Sequence, residues 1–186
     1  VEGQNFGYRK HVLEYDDVMN KQREAIYGLR RQLLEGEDQK EYLMGIGDEI
    51  LADLVNTYAN AETHPDEWDV DALSTAVMRQ FGFDFRAEGI DPNQHGSKQL
   101  EDLLIQKAHE KYVQKETLIG AGAMRFHERM IMLQIVDSHW KDHLLAMDHL
   151  KEGIGLRGYG QRDPLVEYKK ESFDLFEDLM SRIERS

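Results

Sequence analysis

Two histidines four positions apart, in the string His139-Trp140-Lys141-Asp142-His143, come nearest among these residues to a metal-binding spacing. On a helix they lie on one side, as zinc ligands of a metalloprotease do. The position that such an enzyme fills with its general-base glutamate holds Trp140, however, and no third ligand is indicated. A second candidate, Gly153-Ile154-Gly155-Leu156-Arg157-Gly158, fits the bare G-x-G-x-x-G pattern. That pattern cradles a pyrophosphate only between a strand and a helix, and here a long helical stretch precedes it. Ser138 and Ser172 lack the strained strand-to-helix elbow that exposes a nucleophile, and read as surface or capping hydroxyls. Asp16 and Asp17 are neighbours on a helix, so they point about 100° apart and cannot share a proton. They belong to a solvated or ion-paired face. No G-x-x-x-x-G-K-[ST] string occurs, so these residues cannot form a P-loop by themselves. The expectation is a segment with no catalytic residue, no bound cofactor and no metal.

The elements around these residues are helical. Val12, Met19, Ile26 and Leu33 recur every seven residues, with Tyr15 and Leu29 at the interleaved spacing and Gln22 as the polar exception. This predicts one long helix from about Asn5, as N-cap, to Glu35, stopped by Gly36. Such a helix spans roughly 45 Å, more than a small domain needs for its own core. A matching stripe returns late in the chain: Leu133, Trp140, Met147 and Ile154 form one series, and Val136, His143 and Leu150 the other. Aromatic and methionine side chains at that spacing read as packing rather than as a cofactor box. The second helix is expected from about Ala123 to Gly153 or Gly155, facing the first.

Between the two stripes the composition changes. The chain of 186 residues has a formal charge of -13, of which residues 37–110 carry -12 while the segments on either side are nearly neutral. An abrupt change of this kind marks an insert. The expected division is 1–36 and 121–186 as two parts of one helical scaffold, with 37–120 inserted. Within the insert, Ile46 to Tyr58, Leu73 to Phe81 and Leu100 to Val113 give three helical faces, separated by the loops HPDEWD and EGIDPNQHGS. Trp68 is expected to pack beside the first loop. Phe81, Phe83 and Phe85 alternate either as a short strand or as a loop plugging apolar gaps. The fold class is therefore all-α: a long scaffold helix packed on a two-helix hairpin, with a small inserted helical domain.

No apolar run approaches the roughly 20 residues of a membrane span, and cysteine is absent, which removes thiolate metal sites and disulfides. The amino end does not read as a signal peptide, so a cytosolic address is expected, and Val1 in place of Met suggests an expressed piece or a processed product. The acidic balance argues against a nucleic-acid partner.

The hairpin tip is the most distinctive stretch. Gly153, Gly155, Gly158 and Gly160 surround Ile154, Leu156, Arg157 and Tyr159, and Pro164 then opens a new helix with Asp163 as its N-cap. Tyr159 either folds back to cap the hairpin core or presses against another chain, a role for which its large area and small entropic cost suit it.

The pattern LQ-x-x-DS-x-W-K-x-HL-x-x-MD-x-L-x-x-GI-x-LRGY-x-Q-x-DP-x-x-EY-x-x-ES, from Leu133 to Ser172, resembles the two-helix finger of the SecA family of preprotein translocation ATPases. The opening block VEGQNFGYRKHVLEYDDVMNKQR resembles that family's helical scaffold, and Glu67 to Asp69 resembles its helical wing only loosely. The resemblance implies a mechanical segment of a motor. Its scaffold would bridge nucleotide-binding domains that hold ATP and Mg, while its finger would reach the SecYEG channel and restrain ATP turnover at rest. Carried over, Tyr159 would touch the translocating unfolded preprotein, with Leu156, Arg157 and Gln161 around it. Val12, Met19, Ile26, Leu33, Leu133, Trp140 and Met147 would be scaffold packing. The place implied is the bacterial cytoplasm, at the cytoplasmic face of the inner membrane. No counterpart of the motor folds or of a zinc tail is recognisable. Two alternatives stay open: a free-standing helical module that binds unfolded polypeptide, and a metal hydrolase using His139 and His143, which would require stoichiometric zinc. A homodimer that closes the heptad stripe on a second copy stays open as an assembly of the chain.

Overall fold

The computed structural model of the protein describes residues 1–35, 39–156 and 163–186, and the side chains of all of these except Phe6 and Tyr8. Among them are six α-helices and two short 3-10 turns, with no strand. The helices are α1 (Glu2–Glu35), α2 (Lys40–Tyr58), α3 (Val70–Phe81), α4 (Ser97–Ile119), α5 (Ala121–Leu156) and α6 (Pro164–Arg185). The chain divides into two compact units. One is made of Val1–Glu37 and His127–Ser186, the other of Asp38–Phe126.

The first unit is a three-helix packing of α1, the α5 residues from His127 onward, and α6. Ile26 and Leu33 of α1, Leu133, Val136 and Trp140 of α5, and Leu179 of α6 share one buried cluster. Met147, Leu150 and Ile154 of α5 meet Tyr168 of α6 in a second cluster, against which Tyr15, Val18 and Met19 pack. Early α5 thus meets late α6 and late α1, so α5 runs antiparallel to both. All seven stripe residues expected on α5 are buried. At this depth each aliphatic side chain contributes about 1.5–3 kcal/mol of burial. On α1 the stripe is sharper at its centre than at its start: Ile26 and Leu33 are interior, whereas Val12 is exposed. Val12 lies one turn before Tyr15, the first α1 residue to touch a core cluster, and among the described residues no cluster includes it.

The helix ends differ from the sequence expectation in three places. The backbone N–H of Asn5 donates to the carbonyl of Val1 at 3.1 Å, so Asn5 is a helical residue and not a cap. At its start α5 follows Gly120, whose φ of 91° only glycine adopts without strain, so the break precedes Ala121 rather than Ala123. At its end α5 continues through Gly153 and Gly155 to Leu156. Each of those glycines costs about 1 kcal/mol in a helix, and the burial of Ile154 between them on the Tyr168 contact offsets part of it. The next helix starts as expected: Pro164 is its first residue, and the Asp163 carboxylate accepts from the Leu165 N–H at 3.0 Å.

The second unit packs α2, α3 and α4 around Leu51, Val55, Leu73, Val77, Leu100 and Leu104. Trp68 sits on this core and donates its indole N–H to the Asn60 carbonyl at 2.9 Å, which ties the first loop down. Phe83 and Phe85 are buried within a turn after α3, so they plug the core as loop residues rather than as a strand. The Gly82 C-cap, at φ 74°, is what redirects the chain there.

Candidate functional site

The described residues of the first unit hold their polar chemistry in one place. Gln22, His143 and Ser172 are the buried polar residues of the described chain, and they are joined. His143 Nε2 lies 2.7 Å from Gln22 Oε1, and Gln22 Nε2 donates to the Ser172 carbonyl at 3.1 Å. Because the Gln22 amide gives its N–H to α6, its oxygen faces His143, and Nε2 is therefore the nitrogen that carries the proton. The Ser172 hydroxyl donates back to the Lys169 carbonyl at 3.0 Å. One group from each of three helices is thus linked across 150 residues of sequence.

His143 is fully buried, stacked on Trp140 with ring centroids 5.4 Å apart and meeting the edge of Phe176 at 5.9 Å. Burial pushes its pKa down to about 4, and the positive charge of Arg182 adds to the effect. Its Nδ1 has no hydrogen-bond partner among the described residues. The imidazole is neutral at pH 7 and performs a packing and bonding role. His139, one turn earlier, pairs through Nε2 with the Ser186 hydroxyl at 2.7 Å. The i, i+4 histidines therefore have separate partners, and among the described residues no group of three potential ligands surrounds a metal position. Ser172, read from sequence as a surface or capping hydroxyl, is instead interior. Its helix turns that face onto Gln22, and its carbonyl is what Gln22 needs. Ser138 is exposed.

Surface pairs frame this layer. Arg30 of α1 grips Asp137 of α5 with two hydrogen bonds, at 2.9 and 3.2 Å. Tyr15 tilts onto Tyr168, with centroids 4.8 Å apart, and burial raises the pKa of both phenols. Between α1 and α6 a groove of about 380 Å³ is lined by Asp17, Lys21, Gln22, Lys169, Ser172 and Phe173, among others. Of the residues expected at the finger tip, Leu156 ends α5 with 84% of its surface exposed. Arg157, Tyr159 and Gln161 lie outside the described residues. Of the expected packing residues, Ile26, Leu33, Leu133, Trp140 and Met147 are interior, Met19 is half-buried and Val12 is exposed. The tie between Gln22 and Ser172 is not visible as a sequence motif. Its one trace is that Gln22 breaks an otherwise apolar heptad.

A long helix carrying an inserted helical unit and closing on a two-helix hairpin, with its buried polar groups spent on helix-to-helix bonds, has the architecture of a helical scaffold. The whole chain, residues 1–186, matches the family model described as SecA Wing and Scaffold domain, and the chain belongs to that family. It is 59% identical over 182 residues to the protein translocase subunit SecA of Koribacter versatilis, covering 97% of this chain and 18% of the relative. The protein of the same name from Acidobacterium capsulatum is 54% identical over 185 residues, 99% of this chain and 19% of its own length. That of Solibacter usitatus is 50% identical over 187 residues, again 99% and 19%. The chain thus spans about a fifth of the length of these relatives. Among the described residues no helix is long and apolar enough to cross a membrane.

Proposed function

We propose that this chain is the mechanical segment of a SecA-type motor, which couples ATP hydrolysis elsewhere in a larger protein to the movement of preproteins through the SecYEG channel. The observation that carries this reading is a family match from the first residue to the last, on relatives about five times as long. The arrangement of side chains supports it. The first unit devotes its buried polar groups to binding three helices together, as a strut requires. ATP and Mg would be held by nucleotide-binding domains outside these residues, with α1 and α5 bridging them. The α5–α6 hairpin, with Leu156 exposed at its end, would present Arg157, Tyr159 and Gln161 to the unfolded preprotein at the cytoplasmic face of the inner membrane.

The test is Tyr159→Ala in the full-length parent protein, assayed for preprotein transport into inner-membrane vesicles containing the channel. Transport is expected to fall severalfold while helix content and melting temperature stay unchanged. Undiminished transport would sink the contact role. Loss of cooperative unfolding would show instead that the tyrosine caps the hairpin core, and would sink it equally.

A further inference from the structure

The unit Asp38–Phe126 is an insert, and a cluster at its base joins the segments by which the chain enters and leaves it. Lys40 is the first residue of α2, Tyr112 and Glu116 lie in the last two turns of α4, and Arg125 is in the second turn of α5. Glu116 uses its two carboxylate oxygens for two different cations: Oε1 accepts from Lys40 Nζ at 2.8 Å and Oε2 from Arg125 Nη2 at 2.6 Å. The same Arg125 nitrogen donates to the Tyr112 hydroxyl. Both cations also lie over the Tyr112 ring, Lys40 Nζ at 5.5 Å and Arg125 Cζ at 5.7 Å from its centroid. The ring thus contributes a face to each.

This is not an ordinary surface pair. The side chains of Glu116 and Arg125 are less than one-fifth exposed, and that of Lys40 less than one-third. Solvent screening is weaker there than for the exposed i, i+4 pairs elsewhere on the insert. The Lys40 hydrogen bond holds the Glu116 carboxyl below its ordinary pKa, and the Arg125 charge adds to it. Sequence distance makes the arrangement informative: Lys40 and Glu116 are 76 residues apart, while the fully buried residues of the apolar core begin only at Leu51 on α2 and end at Leu104 on α4, with Ala108 the last α4 residue packed against them. The first turns of α2 and the last turns of α4 extend beyond that core.

We infer that Glu116 is the keystone of a strap that closes the base of the insert, making the first turn of α2, the end of α4 and the start of α5 a single body independently of the apolar core. The ends of the insert therefore open together when the carboxylate is lost, and the core stays folded. Glu116→Gln keeps the shape and removes the charge that both cations need.

The experiment is hydrogen–deuterium exchange on the intact protein, read peptide by peptide, for wild type and Glu116→Gln. Exchange across residues 40–44 and 121–125 should accelerate by about tenfold, the scale of losing a charge-assisted hydrogen bond at each end. Peptides covering Leu51, Val55, Leu73 and Leu104 should exchange as before. Unchanged rates at both ends would overturn the strap. A uniform rise through the whole insert would overturn it as well, because Glu116 would then support the core. Should Glu116→Gln fail to fold, Lys40→Met gives a second reading: acceleration confined to residues 40–44 is expected, and no acceleration there would refute the inference.

Discussion

The fully buried His143 makes the first unit sensitive to mild acid, and the size of the effect follows from its surroundings. In the unfolded chain its pKa is the ordinary 6.5, whereas burial and the Arg182 charge hold it at about 4 in the fold. Between those values the unfolded state binds a proton that the native state refuses, so stability increases with pH across the window. The contribution is complete above about pH 6.5 and is lost as the pH falls toward 4. Relative to neutral pH the loss amounts to about 2 kcal/mol at pH 5 and about 3 kcal/mol once both states are protonated. His143→Gln retains a donor for Gln22 Oε1 but does not titrate, so it isolates this part from the carboxylates. The assay is urea unfolding at pH 7.5 and 5.0, followed by Trp140 fluorescence in a Trp68→Phe background so that only the first unit is read. Wild type should lose about 2 kcal/mol more than the glutamine variant between the two conditions. Equal losses would refute the claim that the imidazole is held neutral by burial.

Other substitutions test the packing. Gln22→Leu leaves the Ser172 carbonyl and His143 Nε2 without their partner and should cost about 1–3 kcal/mol by urea midpoint, although leucine is the better heptad residue. Leu179→Ala, at a fully buried position, should cost about 2–5 kcal/mol in the same measurement, while Val12→Ala, on the exposed start of α1, should change stability by less than about 0.5 kcal/mol. Asp163→Ala removes the cap on the Leu165 N–H and should cost about 1 kcal/mol, visible as a lower thermal midpoint with unchanged spectra before melting.

The packing of α5 was legible because burial there follows a strict period. From Leu133 to Ile154 every seventh residue and its interleaved partner face the same two helices, and the pattern needs no knowledge of what those helices are. Val12 shows where periodicity stops being informative: the heptad continues in the sequence past the point where the core clusters of the described residues begin. Gly153 and Gly155 read as a helix end by local propensity, but Ile154 is held by Tyr168, a contact no local window contains. The polar tie and the Glu116 strap were illegible for a related reason. Each depends on a pair brought together across 76 to 150 residues, with no repeat or spacing to announce it. Gln22 interrupting its stripe was a visible sign, but it pointed to no partner. His143 was correctly placed on the stripe, while its bond to Gln22 required the register between α1 and α5.

The division of the first unit between the two ends of the chain also governs when it can fold. During synthesis α1 precedes its partners, those on α5 following after about 90 further residues and those on α6 after about 130, roughly 5–25 seconds later at ordinary elongation rates. Through that interval the stripe from Met19 to Leu33 is without its α5 and α6 partners. The insert, by contrast, draws on contacts within a continuous stretch and can fold as it appears. Once it has, its two ends are drawn together at Glu116, and the long loop that α1 must close becomes a short one.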